Sequence, residues 1–380
     1  MIGVLILGSK EYPFGSGKGG DPIPSGGMET YVNDLAGDLS ALCRLKIVTR
    51  LFEGTPARES RGNIEVFRVP WKRGRWLRNP SFNLLSFLIA LRARRGVDIV
   101  YSNGIVAGFF GYVLARMLRK KAVFRPAGIC YSQYPPPLRQ ALFVMEKLVF
   151  RKSDALVFHS DGEEANARRA FGFRPEKAHV ILTGFPIEKF RSGRQDRREE
   201  FGALGKVVIT SVSRLVQVKG LNYLLEACAF AGGDFRLIIV GSGPEEKQLR
   251  AMASALGISG KVGFEGFRLD VPDILAITDI FVVSSVSEGL PTSLLEAMAA
   301  GAACIVTDIG LPIRHLKTGL VVAPRDSEAL GNAIRVLMKN DALRKELGAN
   351  ASVFVAENCT PRMAAEKHLD MFRDVLGEMA

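Results

Sequence analysis

Ile280-Phe281-Val282-Val283-Ser284 leads through Ser285-Val286-Ser287 into Glu288-Gly289-Leu290-Pro291-Thr292-Ser293-Leu294-Leu295-Glu296-Ala297-Met298-Ala299-Ala300-Gly301, and this stretch decides the fold. Its first five residues are an apolar run of buried-strand length, and Pro291 suits the first turn of a helix that stays apolar as far as Gly301. A strand passing through a short loop into an apolar helix is half of a βαβ unit. The spacing predicts Glu288 in the loop and Glu296 more than one turn into the helix, so that the two carboxylates project at different depths into one cleft. Two glutamates so spaced are, taken alone, a loop acid and a solvated helix acid. Here the positions three and four away from Glu296 are Thr292, Ser293, Ala299 and Ala300, which offer no helical salt bridge. A carboxylate on a helix otherwise almost wholly apolar needs hydrogen-bond partners, and the hydroxyls of a bound ribose would serve.

The same alternation runs outward in both directions. Strands are expected at 3–7, 45–49, 64–69, 99–102, 122–125, 155–159 and 180–182, with a helix over about 28–41, and again at 207–213, 236–240, 261–264, 280–284, 304–307 and 320–322. The pattern predicts an α/β protein with mostly parallel sheets covered on both faces. A chain of 380 residues suits two domains. Thr183-Gly184-Phe185-Pro186 and the charged run 191–200 read as a linker, which puts the boundary near residue 186. No repeat with a period of 20–50 residues is evident, which argues against solenoids and propellers.

Composition narrows the function classes. Hydrophobic residues at 47% and charged residues at 24% are those of a globular protein. Residues 1–8 lack the basic region and cleavage site of a signal peptide, and no apolar run is long enough to span a bilayer. Cys43, Cys130, Cys228, Cys304 and Cys359 are scattered, and neither they nor His159, His179, His315 and His368 have metal-ligand spacing. A reducing cytoplasm and no metal cluster are expected. Residues 1–185 hold 28 Lys/Arg against 15 Asp/Glu, whereas 186–380 hold 23 against 24, so the net charge of +12 belongs to the first half. Within it, 66–97 has Arg68, Lys72, Arg73, Arg75, Arg78, Arg92, Arg94 and Arg95, both tryptophans, Trp71 and Trp76, and no acid. Such a region suits an anionic surface, or a solvated helix end beside ordinary core packing.

Two further loops carry chemistry. Arg214 and Lys219 bracket the turn between strand 207–213 and the helix opening at Leu221, and two cations beside a helix N-terminus form an anion site in which a diphosphate is the natural guest. Gly241-Ser242-Gly243 is a weaker phosphate signal, because Glu245 and Glu246 occupy the first turn of its helix, and it reads mainly as a tight turn beside the cleft. In the glycine-rich loop 15–27, Gly26 and Gly27 would let backbone approach a phosphate or sugar closely. No Asp-x-Asp occurs in the chain, so Arg214, Lys219 and helix N-termini would carry the diphosphate charge.

Taken in this order, Gly26-Gly27-Met28-Glu29, Ser213-Arg214-Leu215 with Lys219-Gly220, Val240-Gly241-Ser242-Gly243-Pro244, Glu265-Gly266 and the segment 288–301 resemble glycosyltransferase family 4 over nearly the whole chain. These are the retaining enzymes of the GT-B fold, with two facing Rossmann-like domains. The resemblance implies an acceptor-binding domain over 1–186, a nucleotide-sugar-binding domain over 187–358, and a last helix in 359–380, after Pro361, crossing back to the first. It also implies that Arg214 and Lys219 contact the donor phosphates, Glu296 holds the ribose, Glu288 approaches the transferred sugar beside Gly289 and Leu290, Gly241 borders the donor, and Gly26 and Gly27 close on it. A UDP-sugar is the favoured donor and a GDP-sugar the second choice, with no other cofactor. The acceptor would be a glycan or a lipid-linked, phosphate-bearing molecule of polysaccharide or lipopolysaccharide assembly, met at the inner face of the plasma membrane. Three departures stand out: Phe124-Arg125-Pro126-Ala127-Gly128 replaces the frequent His-Gly pair, Thr183-Gly184-Phe185-Pro186 stands where Asn-Gly-Val-Asp is common, and the shorter Gly310-Leu311-Pro312-Ile313-Arg314-His315 replaces Gly-Gly-x-Pro-Glu. The competing readings are a sugar-nucleotide epimerase of the same fold, which would convert its donor without acceptor, and a basic nucleic-acid-binding protein, for which no module is recognised.

Overall fold

The computed structural model describes residues 1–12, 27–71, 78–126, 128, 136, 138–191 and 197–378. They form two compact units, Met1–Phe185 with Pro361–Ala380, and Pro186–Thr360.

The first unit contains β1 (Gly3–Leu7), α1 (Gly27–Leu42), β2 (Arg44–Arg50), β3 (Arg58–Arg61), β4 (Ile64–Val69), α2 (Arg78–Arg92), β5 (Ile99–Asn103), α3 (Ile105–Leu118), β6 (Lys121–Arg125), α4 (Leu138–Lys152), β7 (Ala155–Phe158), α5 (Asp161–Phe171) and β8 (Ala178–Val180). The strands lie in the order β3-β4-β2-β1-β5-β6-β7-β8, parallel except where β3 runs against β4. Side chains alternate across this sheet. Val4 and Ile6 join Tyr31, Leu35 and Leu39 of α1, while Leu5 and Leu7 face Phe82 of α2 and Leu114 of α3.

Most strand expectations agree with the structure to within a residue at each end, because buried parallel strands are continuous apolar runs. Two differ. The last strand of the unit is Ala178–Val180, two residues earlier than 180–182. Arg58–Arg61 was not expected at all: its sequence is Arg-Glu-Ser-Arg, and only an edge strand can be so polar. This strand corrects the basic region. Arg68 is buried, its Nη2 donating to Glu59 Oε2 at 2.7 Å and its Nη1 to the Pro56 carbonyl at 2.9 Å. Trp71 is half-buried, its indole N–H donating to the Leu51 carbonyl at 3.0 Å and its ring lying under the Arg50 guanidinium. Arg92, Arg94 and Arg95 are exposed, whereas Lys72, Arg73, Arg75 and Trp76 lie outside the described residues.

The second unit contains α6 (Glu188–Arg191), β9 (Val207–Val212), α7 (Leu221–Ala231), β10 (Phe235–Val240), α8 (Glu246–Ala255), β11 (Val262–Phe264), α9 (Val271–Ala276), β12 (Ile280–Val283), α10 (Thr292–Ala299), β13 (Ala303–Thr307), β14 (Leu320–Val322), α11 (Ser327–Lys339) and α12 (Asp341–Asn358). Its sheet is parallel, in the order β11-β10-β9-β12-β13-β14, over a core that includes Leu224, Ile239, Val282, Ile305 and Leu337. The charged run read as a linker is folded from Arg197 onward. Arg197 pairs with Asp270 at 2.7 Å, Arg198 pairs with Asp279 at 3.1 Å, and Phe201 and Ala203 are buried.

The final helix, α13 (Pro361–Leu376), returns to the first unit, where Ala364, Ala365, Met371 and Phe372 enter the cluster built around α1. Cys43, Cys228 and Cys304 are buried thiols, and burial pushes the first two up to about 11 and about 12. Among the described residues no group of three His, Cys, Asp or Glu side chains is arranged to hold a metal, and no helix is long and apolar enough to cross a membrane.

Candidate active site

In the second unit β9 and β12 are neighbours, but the chain leaves β9 toward β10 and leaves β12 toward β13, so the two loops part at the carboxyl ends of these strands. Open α/β sheets bind ligands in the crevice formed at such a point. Pairing of β9 with β12 stops at Thr210 and Phe281, although the strands run on to Val212 and Val283. A small, solvent-open recess lies at this parting, and its lining includes Ser211, Ser213, Lys219, Ser285, Glu288 and Ser293.

Two neighbouring loops supply its charges. Lys219 closes a single turn, Gln217–Lys219, before α7, and Glu288 sits between β12 and α10. The Lys219 ammonium donates to Glu288 Oε1, and Ser285 Oγ donates to the same oxygen at 2.8 Å. Both charged side chains are about seven-eighths buried, at 14% and 13% exposure, which strengthens their attraction relative to a surface pair. The loops are tied to each other through backbone. Ser284 Oγ donates to the Lys219 carbonyl at 3.0 Å, the Val286 N–H to the Val218 carbonyl at 2.8 Å, and Thr307 Oγ1 to the Ser285 carbonyl at 2.5 Å. Gly220 has φ 62°, and a Cβ there would lie 2.2 Å from the Ser284 carbonyl oxygen, so only glycine fits this joint.

The other expected residues surround this pair. Arg214 is exposed at the start of the Lys219 loop and makes no side-chain hydrogen bond or ion pair among the described residues. The Gly241 turn supports that loop: a Cβ at Gly241 would lie 1.9 Å from the Ser213 carbonyl oxygen, and the Leu215 N–H donates to the Ser242 carbonyl at 3.0 Å. Gly289 and Leu290 are half-buried beside Glu288. Pro291 is the N-cap of α10 and not its first helical residue, with ψ 118°, so the helix begins at Thr292. Glu296 lies one turn into α10, half-buried and not in the recess lining. Gly27 opens α1 in the first unit, and Gly26 lies outside the described residues.

Sequence reasoning missed Ser285, Ser293 and the pairing of Lys219 with Glu288. Ser293 Oγ donates to the Val212 carbonyl at 3.0 Å, which ties α10 to the end of β9. The available signal was a cation and an acid closing two adjacent strand-to-helix loops.

A second polar cluster lies at the carboxyl ends of β6 and β7 in the first unit. Arg125, where a His-Gly pair was the family expectation, stacks 3.8 Å from the Tyr31 ring centroid and donates from Nε to His159 Nε2 at 2.7 Å. His159 accepts there, so its Nδ1–H donates to the Ile181 carbonyl at 3.0 Å, and its backbone N–H donates to Glu163 at 2.9 Å. Burial, reinforced by the Arg125 charge, holds the His159 imidazole well below its usual range, and burial raises the Glu163 carboxyl. On α13, His368 Nδ1 donates to the Ala364 carbonyl at 2.6 Å, and its Nε2 lies 2.9 Å from the Tyr31 hydroxyl and 3.2 Å from that of Tyr101.

Comparison with known proteins assigns both halves of the chain. A model of glycosyl transferases group 1 matches residues 193–353, and a model of the glycosyl transferase 4-like domain matches 26–184. The lipopolysaccharide core biosynthesis glycosyltransferase LpsE of Rhizobium meliloti is 36% identical over 143 residues, which is 37% of this chain and 42% of LpsE. Among solved structures, sucrose-phosphate synthase from Thermosynechococcus elongatus superposes with a TM-score of 0.82 at 20% identity, covering both chains in full. Anabaena HepE in complex with UDP-glucose gives 0.78 at 21% identity, again covering both chains in full. With two parallel-sheet α/β units and both halves matched by glycosyltransferase models, the chain belongs to the family-4-like glycosyltransferases of the GT-B fold.

Proposed function

We propose that the protein transfers a hexose, with retention of anomeric configuration and without a metal ion, from a nucleoside-diphosphate sugar bound at the recess of the second unit. The observation that carries this reading is the meeting of Lys219 and Glu288 at the parting of β9 and β12. A sugar nucleotide needs a cation for its phosphates and an acceptor of hydrogen bonds for its sugar hydroxyls within one molecular length. Lys219 and the exposed Arg214 take the diphosphate, Glu288 takes the sugar beside Gly289 and Leu290, and Glu296 takes the ribose. Cleavage builds negative charge on the departing diphosphate, which fixed cations and the N–H groups at the start of α7 stabilise. The acceptor then attacks from the face the diphosphate leaves, so no protein nucleophile is required. UDP is the favoured nucleotide, supported by the HepE complex with UDP-glucose.

Calorimetric titration with UDP, GDP and ADP tests the site. One nucleotide should bind saturably, and Arg214→Ala and Glu296→Ala should each weaken it by about tenfold. Loss of neither increment would remove both residues from the donor site. An epimerase of the same fold would instead convert a donor sugar in the absence of acceptor.

The acceptor we propose is a glycan or lipid-linked molecule of cell-surface polysaccharide or lipopolysaccharide assembly, reached from the cytoplasmic side of an anionic membrane. LpsE supports the pathway. The membrane contact is supported by Leu84 and Leu88 on α2 and Val144 and Leu148 on α4, all exposed, with Arg92, Arg94, Arg95, Arg151 and Lys152 exposed at or just past the ends of those helices. Leu88→Glu with Val144→Glu should reduce co-sedimentation with phosphatidylglycerol vesicles by about tenfold or more. Unchanged co-sedimentation would exclude this face.

A further inference from the structure

A diphosphate bound in this loop competes with Glu288 for the Lys219 ammonium. We infer that Glu288 exchanges partners during the reaction: the donor's phosphate takes Lys219 from it, and Ser285 is the positioning residue that keeps the freed carboxylate aimed at the sugar. The inference rests on the donor site proposed above and goes beyond it to the order in which its contacts form.

Three features of the geometry carry it. Lys219 and Ser285 donate to one and the same oxygen, Oε1, so loss of the ammonium leaves the serine bond in place. Ser285 cannot follow the lysine, because it is 2% exposed and its carbonyl accepts from Thr307 Oγ1 at 2.5 Å on the neighbouring strand. The Lys219 backbone is equally fixed, by Ser284 Oγ at 3.0 Å and by the close passage of Gly220 under the Ser284 carbonyl. The flexible lysine stem is therefore the part that moves, and an ammonium on a four-carbon stem swings between anions at little cost. A carboxylate that is mostly buried and has lost its cation is unfavourable until new donors reach it. Sugar hydroxyls are such donors, and a nucleoside diphosphate without sugar has none at that place. The exchange thus penalises the spent nucleotide relative to the intact donor.

The test is calorimetry of the full-length chain with UDP and with UDP-glucose. Glu288→Gln has no ion pair to break and should bind UDP about tenfold more tightly than the unsubstituted protein, while losing the preference for UDP-glucose over UDP. Ser285→Ala should leave UDP affinity unchanged and reduce that preference by about fivefold to tenfold, and Ser285→Thr, which keeps a hydroxyl, should restore it. A merely structural serine would lower both affinities together. If UDP binds the unsubstituted protein and Glu288→Gln equally, the exchange is wrong while the donor site stands. If the unsubstituted protein binds neither probe, the donor site falls and the exchange with it.

Discussion

Alanine in place of Lys219 is expected to lower sugar transfer by about a hundredfold to a thousandfold at saturating donor, read as release of nucleoside diphosphate, because one preorganised charge at a leaving group is worth that much. The lysine is only 14% exposed and its backbone is held on both sides, so once its ammonium has moved onto the phosphate little further reorganisation accompanies charge development. The exposed Arg214 is a weaker contributor, and Arg214→Ala should cost about tenfold. A Lys219→Ala variant within about threefold of normal turnover would contradict the assignment of the leaving group to this loop.

Acidification should loosen the first unit through the histidines behind its sheet. Burial holds His368 at about 4 against an ordinary 6.5, and His159 is displaced in the same direction. Charges facing His368 agree with that direction, since Arg125 and His179 both disfavour its protonation. Above pH 6.5 both the folded and unfolded forms of His368 are neutral and the group contributes nothing to the pH dependence. Between 6.5 and 4 the unfolded chain takes up a proton that the folded chain refuses, so stability falls as pH falls, by about 3 kcal/mol for His368 alone. Urea unfolding from pH 7 to 4.5, followed in the transition that melts α13, should show this loss, with a visibly shallower slope in His368→Gln. Equal slopes in the two proteins would mean that another group sets the acid limit.

How far the sequence reached depends on what each element buries. Apolar runs such as 3–7 and 320–322 locate strands closely because both faces of these sheets are covered. Arg58–Arg61 has no apolar residue, and its pairing with β4 is a long-range event that no local pattern records. Missing it also misplaced Arg68, whose partner Glu59 lies on that strand. Glu288 and Lys219 were legible as charged ends of strand-to-helix loops. Their contact was not, because it depends on β9 and β12 being neighbours although 69 residues separate the two side chains. The Arg125, His159 and His368 cluster was illegible for the same reason, since it gathers residues from β6, the end of β7 and α13.

The return of α13 also fixes the timetable of synthesis. On the ribosome the strands of the first unit emerge early, and domains generally fold as they appear, N-terminal first. Here the layer over one face of that first sheet lacks Ala365, Met371, His368 and Phe372 until α13 is made. Everything from Pro186 to Thr360 is translated in the meantime and forms the second unit. The unit begun before the other is therefore finished after it, and a chain truncated before Pro361 would carry the second unit with a first one whose apolar face is open to chaperones and proteases.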